Sequence, residues 1–399
     1  MLGIKSRFYS SLSWLYPALR WLRGAFFLPL TRGASVNVPS IRINTAAAVA
    51  AELSSAPTTA QQLAHGIDCT CYYTENFYMR TPVEAHFSYR DAASFSAEHA
   101  SLLNALTTPM REELLGGLAT EAARRRSVVS EAAARKARVA AEYVPRHPEL
   151  WTLSERWLHR DFVALVEGAK ARSANGALMT AKSSSWKPPQ QIERGVYALP
   201  LFSNEFCTLL CEELAHFKES GLPSGRPNSM NRYGQLLDEL GMSPGFLDPL
   251  MKEWLVPLCK SLPPLAAVGG ATLDHHKAFV VAYRMGEDEH LSEHFDNSEI
   301  TLNANLGLEF DSGELVFYGH KESASANPVA YHDWADYGIG HAVLHLGAQV
   351  HAALPISGGE RFNLVVWMRS SAHRRVAGCP MCGERDRLLI DRGRASPAR

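Results

Sequence analysis

The run Gly286–Phe310, "GEDEHLSEHFDNSEITLNANLGLEF", decides how this chain folds, because its centre "HLSEHFD", His290 to Asp296, fits two incompatible metal motifs. Read as H-x-x-E-H on a helix, it sets His290 and His294 one turn apart around a zinc ion with Glu293 as general base. Read as H-x-D on a strand, it sets His294 and Asp296 on one side while Phe295 points away, as the start of a non-haem iron triad. The flanks choose. A β-branched run ends at Tyr283 and strict alternation begins at Ile300, which leaves room for about two helical turns at most. Thr301, Asn303 and Asn305 share one face of the alternating run, and Leu302, Ala304 and Leu306 the other. Such a polar row lines a cavity inside a small β-barrel or jelly roll. The strand reading follows, and His290 and Glu293 become loop residues at the rim.

A third ligand completes the argument. His351 opens "HAALPI", and Arg361 lies ten residues further on in "GGERFNLVVWMR". A turn over Pro355–Glu360 is expected to set the two side by side on neighbouring strands. Two imidazoles and one carboxylate on a single octahedral face form the triad of Fe(II) oxygenases, with three positions left for co-substrate and oxygen. A neighbouring Arg suits an anionic co-substrate, because its planar fork binds a carboxylate through two parallel hydrogen bonds. His345, in "LHLG", is a rival for His351; it reads as a core or supporting histidine, since only His351 has an Arg ten residues on. His275 and His276 are adjacent, face opposite ways on a strand, and are not expected to be ligands.

The rest of the chain frames this site. The 399 residues are nearly half hydrophobic, enough for one large domain and a smaller partner or extension. Forty basic residues against forty-one acidic ones leave no global footprint for nucleic acid. Met1–Ala51 contains no Asp or Glu but carries Lys5, Arg7, Arg20, Arg23, Arg32 and Arg42. That composition resembles a transit peptide for the mitochondrion or another organelle, with membrane-surface contact as a second reading and an untargeted extension of a cytoplasmic protein as a third. Arg20 and Arg23 interrupt the apolar run and argue against a spanning helix.

From residue 90 to 170 the pattern is helical, closed by Pro145 and Pro148 and followed by "LSERWLHRDFVALVEGAKAR". Arg124, Arg125, Arg126, Arg135, Lys136 and Arg138 form either a basic binding face or a solvated helix surface. "SANGALMTAKSSSWKPPQQ" has linker chemistry and sets a boundary near residue 190. Beyond it lie a strand in "GVYALPLF", a helix capped by Ser203, and a second helical stretch in "GQLLDELGMSPGFLDPLMKEWLVPLCKSL". Short strands at short intervals follow: "KAFVVAYR", "EITLNANLGLEF", "GELVFYG", "HAVLHLG", "VHAALPI" and "RFNLVVWMR". "GRPNSMNRYG", Gly225–Gly234, lacks periodicity; it reads either as a substrate-facing loop or as a structural loop with Asn turn chemistry.

"AFVVAYR", "HFD", "SGELVFYG" and "HAALPISGGERFNLVVWMR", in this order, resemble the prolyl and lysyl hydroxylase branch of the 2-oxoglutarate- and Fe(II)-dependent dioxygenases. Through "CTCYYTENFYMR", "AARKARVAAEYVPRHPE", "GRPNSMNRYGQLLDELG", "LNANLG" and "CPMC" the chain is more closely similar to the 2-oxoglutarate and iron-dependent oxygenase domain-containing protein 2 family, over residues 67 to about 385. The resemblance implies that His294, Asp296 and His351 hold iron and that Arg361 binds the distal carboxylate of 2-oxoglutarate. It also implies that Tyr283, Asn303 and Asn305 line the co-substrate pocket, although no Tyr stands at the two Asn positions. The implied reaction consumes 2-oxoglutarate and O2, releases succinate and CO2, and hydroxylates a protein or peptide side chain of Pro or Lys type, with ascorbate as a reductant. A catalytically silent metal- or protein-binding module on the same fold is the alternative.

Cys69 and Cys71 form a C-x-C and Cys379 and Cys382 a C-x-x-C at the two ends of the similar region. They are expected either to clasp one structural zinc or to be two unrelated thiol pairs. The fold class is α+β, a C-terminal double-stranded β-helix (jelly roll) dioxygenase domain after a mainly helical region. Its expected parts are an extension at 1–60, the helical region at 61–185, the dioxygenase domain at 191–372 and a tail at 373–399.

Overall fold

Alternation builds the centre of a sheet, as the sequence requires. In the computed structural model, which describes residues 76–79, 81–83, 85–174, 186–377 and 380, the alternating run is strand Ile300–Gly307. In chain order the strands are β1 (Asn76–Met79), β2 (Ala85–Ser88), β3 (Gln190–Glu193), β4 (Val196–Pro200), β5 (Gly234–Leu236), β6 (His275–Arg284), β7 (Leu291–His294), β8 (Ile300–Gly307), β9 (Phe310–Ser312), β10 (Leu315–His320), β11 (Ala330–His332), β12 (His341–Leu346), β13 (Gln349–Ala353) and β14 (Ile356–Arg369). All ladders are antiparallel. One sheet runs β11-β10-β13-β7; the larger runs β3-β4-β12-β8-β14-β6-β5, with β9 on the outer part of β14. From β6 to β14 the chain passes repeatedly from one sheet to the other, with β7, β10, β11 and β13 in the smaller sheet and β6, β8, β12 and β14 in the larger, and residues of both line one cavity.

The larger sheet has two chemically different faces. Its outer face carries Val280, Leu302, Ala304, Leu344, Leu364 and Val366, which share one core with Phe206, Leu210, Leu214 and Phe217 of a helix laid across it. Each of these Val, Leu and Phe side chains, fully buried, contributes about 1.5–3 kcal/mol. The helices are α1 (Ala92–Glu98), α2 (Ala100–Ala105), α3 (Thr108–Glu142), α4 (Arg160–Ala174), α5 (Asn204–Glu219), α6 (Val256–Ser261), α7 (Pro263–Ala266) and α8 (Ser371–Ala377). α5 starts where predicted: Ser203 accepts the Phe206 N–H at 3.3 Å. Val139, Leu150, Trp157, Phe162 and Val166 belong to the same core, so the helical segment before residue 175 packs directly on the sandwich. The hairpin β1–β2 and helices α1–α3 enclose a separate core of Phe77, Phe87, Phe95, Leu102, Leu114 and Leu118.

Several expectations change. The hairpin β1–β2 stands at residues read as part of a mainly helical region. "GQL", expected to open a helix, is instead the edge strand β5. Gly234 permits this, because any Cβ there would sit 1.9 Å from the Val280 carbonyl oxygen. Helical turns begin only at Ser243. The predicted turn over Pro355–Glu360 is mostly strand, since β14 starts at Ile356. The basic run of α3 is engaged within the chain: Arg124 and Arg125 pair with Glu121, Arg135 with Glu239, Lys136 with Asp238 and Arg138 with Glu142. Those ion pairs leave the solvated-surface reading in place. No described helix is long and apolar enough to cross a membrane. The expected targeting segment and all four cysteines of the expected zinc site lie outside the described residues. Burial pushes the thiols of Cys207, Cys211 and Cys259 upward, which makes them core groups.

Candidate metal centre

"HLSEHFD" is extended. β7 ends at His294, and the Asp296 N–H donates to the Gly347 carbonyl at 2.8 Å just beyond it. Asp296 therefore lies two residues past the end of the strand on which it was expected, held by a strand-like hydrogen bond. Helical geometry is absent here, which removes the zinc-peptidase reading; His290 is exposed, and Glu293 is an exposed strand residue rather than a loop residue. In the β13–β7 ladder His351 stands directly opposite His294. The His351 and Arg361 strands were expected to be neighbours. Instead β13 pairs with β10 and β7 while β14 lies in the other sheet, so the two side chains meet across the cavity.

The His294, Asp296 and His351 ligand atoms all lie within 4.8 Å of one another. His294 Nε2 is 3.6 Å from Asp296 Oδ1 and His351 Nε2 is 3.8 Å from Oδ2. Each imidazole donates its Nδ1 proton to a backbone carbonyl, His294 to Ser292 at 2.7 Å and His351 to Gln349 at 2.9 Å. That fixes the tautomer with a bare Nε2 lone pair facing the cluster, the arrangement a metal ligand needs. Thr301 donates to Asp296 Oδ2 at 2.6 Å and orients the carboxylate. Burial pushes the His294 pKa down to about 4, with His351 acting in the same direction. Burial alone would raise the Asp296 pKa, but the three imidazoles around it and the Thr301 hydroxyl outweigh it and hold the carboxyl below its usual range. A neutral His294 beside an ionised Asp296 suits a divalent metal.

His345 is fully buried, with Nδ1 bonded to the Leu346 carbonyl and Nε2 3.9 Å from Asp296 Oδ2. It lies beside the carboxylate but outside the three-residue cluster. His275 pairs with Asp274 and His276 with Asp248, so neither faces the cluster.

Arg361 occupies the other end of the same cavity, 1% exposed. Its guanidinium lies over the Tyr283 ring, 4.3 Å from the centroid, and Nη1 donates to the Gly313 carbonyl. Its Nε has no hydrogen-bond partner, and no described carboxylate forms an ion pair with it. A buried cation left without its anion is a site for one. Asn303 lines the cavity and accepts from Asn363 at 2.7 Å. Asn305 lies further along β8, where it bonds Gly307 and Gly338 and lines a second, shallower hollow. Sequence reasoning missed Gly313, where a Cβ would come within 2.6 Å of Arg361 Nη1 and φ is +82°. The Ser-Gly pair before β10 signals a turn; only the fold brings that turn against Arg361. The Gly225–Gly234 loop does border the cavity, through Asn228 and Asn231, and also has Asn turn chemistry.

Comparison with known proteins follows this geometry. Residues 139–267 match the model of the OGFOD2-like domain. The mouse 2-oxoglutarate and iron-dependent oxygenase domain-containing protein 2 is 38% identical over 331 residues, covering 82% of this chain and 91% of that protein. The human multifunctional procollagen lysine hydroxylase and glycosyltransferase is 25% identical over 240 residues, 55% of this chain and 28% of that protein. A crystal structure of a Pseudomonas putida prolyl-4-hydroxylase is similar with a TM-score of 0.33 at 18% identity, covering 52% of this chain and 98% of that one.

Proposed function

This chain belongs to the 2-oxoglutarate and iron-dependent oxygenase domain-containing protein 2 family, and from that membership and the cavity's two ends we propose that it is a dioxygenase that hydroxylates a peptidyl side chain of Pro or Lys type. One observation carries the reading: two imidazoles and a carboxylate converge at one end of a cavity whose other end holds Arg361 without an anion. In this reading His294, Asp296 and His351 hold Fe(II) on one face, and the strands that pass between two antiparallel sheets form a double-stranded β-helix. Fe(II) held there would supply the oxidation chemistry by which 2-oxoglutarate and O2 give succinate and CO2, with one oxygen atom inserted into a substrate C–H bond. Ascorbate as a reductant belongs to the same proposal.

The chain's own residues supply position and exclusion. Arg361 and Tyr283 anchor the distal carboxylate, which points the keto acid end at the metal position. Phe279, Val281, Leu315 and Val365 wall the space between and keep water from it. Thr301 and the two Nδ1 donors hold the ligands in place before the metal arrives. The similarity to a procollagen lysine hydroxylase supports a peptidyl substrate.

Two measurements test the reading. Anaerobic addition of Fe(II) and then 2-oxoglutarate is expected to give a weak visible charge-transfer band that is lost in His294→Ala. Cell peptides treated with the wild type are expected to gain the mass of one oxygen atom, and those treated with Asp296→Ala are not. No band, with no 2-oxoglutarate consumed, would instead favour a binding module on the same fold.

A further inference from the structure

The Arg361 end of the cavity contains a second donor without an acceptor. Asn231 comes from the loop before β5, outside the sandwich, yet it is 1% exposed and lines the cavity. Its Oδ1 accepts from Asn228 Nδ2 at 2.9 Å, which fixes the amide orientation and leaves Nδ2 as the end still to be satisfied. Nδ2 has no hydrogen-bond partner. The Asn231 side chain also acts on the Tyr283 phenol, lowering its pKa against the rise that burial causes, and the Tyr283 ring lies beneath Arg361, so the three side chains form one group. A buried amide donor left open beside a buried cation left open requires an acceptor that bears negative charge.

The loop is built to hold that amide still. Asn228 Oδ1 accepts the N–H groups of Met230 and Asn231 at 2.8 and 2.7 Å. Glu239 accepts from Gly225 N–H at 3.0 Å on one side, and Asp288 from Arg232 N–H at 2.6 Å on the other. With two carboxylates tying down both ends of the segment, little ordering entropy remains to be lost when a ligand binds.

We infer that Asn231 is a co-substrate residue whose Nδ2 donates to the distal carboxylate of 2-oxoglutarate alongside Arg361. The inference rests on the dioxygenase reading above. It gives the carboxylate a donor from a loop outside the sheets, in a cavity where Asn303 offers no phenol. It also ties co-substrate binding to the already ordered Gly225–Gly234 loop.

The test is an anaerobic titration of the Fe(II)-loaded full chain with 2-oxoglutarate and, separately, with 2-oxovalerate, a keto acid with a methyl group in place of the distal carboxylate. Asn231→Asp keeps the shape and the Oδ1 that Asn228 bonds, but replaces the donor with a negative charge. It is expected to weaken 2-oxoglutarate binding by roughly tenfold or more, and Asn231→Ala by a smaller factor. Neither is expected to change the affinity for 2-oxovalerate or for Fe(II). Equal weakening for both keto acids would reduce Asn231 to a structural residue and overturn the inference. Unchanged 2-oxoglutarate affinity in both variants would overturn it as well, with the dioxygenase reading intact. A wild type that binds no 2-oxoglutarate would sink both.

Discussion

The two ends of the cavity are finished to different degrees. At the metal end each histidine has its outer nitrogen bonded and the Asp296 carboxylate is held by Thr301, so the protein has satisfied everything except the atoms that face the cluster. At the Arg361 end a guanidinium nitrogen and the Asn231 amide remain unbonded in a buried setting. In the proposed function the difference follows from what each end would receive. A metal ligand must be oriented before binding, because lone pairs that point elsewhere coordinate nothing. Donors for a carboxylate are left open because any protein acceptor would compete with the ligand.

Each end can be broken on its own. Arg361→Leu is expected to weaken 2-oxoglutarate by about 30-fold or more while leaving Fe(II) affinity unchanged, as measured by anaerobic titration. Loss of iron in that variant would mean that the two ends are not separate. Thr301→Val removes the donor to Asp296 and is expected to lower Fe(II) affinity by about tenfold, read by metal competition with a chelator. An unaltered iron affinity would show that Asp296 is positioned by its backbone alone. Gly313→Ala should cost about 1–3 kcal/mol in a urea melt, since it combines a left-handed φ with a Cβ against Arg361, and should raise KM for 2-oxoglutarate a few-fold. If stability falls with KM untouched, the Gly313 contact serves the fold only. His290→Ala is the smallest expected effect: iron binding and turnover equal to wild type, because His290 is an exposed residue ahead of β7.

The ends also differ in how far the sequence disclosed them. His294, Asp296 and His351 were legible because strand alternation and spacing constrain which side chains share a face, and the observed β7–β13 register sets the two histidines opposite each other. The Arg361 end was legible only in its Arg and its Tyr. Gly313 and Asn231 come from segments without periodicity, and their roles are contacts made over 48 residues, Gly313 to Arg361, and 52 residues, Asn231 to Tyr283. The same limit produced the misplaced turn at Pro355–Glu360. A hairpin and a crossover between sheets have similar local sequences, and only the partners of β13 and β14 tell them apart.

What the sequence by itself determined is the strands β6, β8, β10, β12, β13 and β14, the Ser203-capped helix and the grouping of His294, Asp296 and His351. Each depends on periods of two or 3.6 residues that neighbours impose on one another. What the tertiary structure decided is that β13 and β14 lie in opposite sheets, that His351 and Arg361 therefore line one cavity from its two walls, and that a loop from outside the sheets supplies an unbonded amide beside Arg361. Those outcomes come from the burial of the outer sheet face under helices and from long-range pairing, which no local pattern encodes.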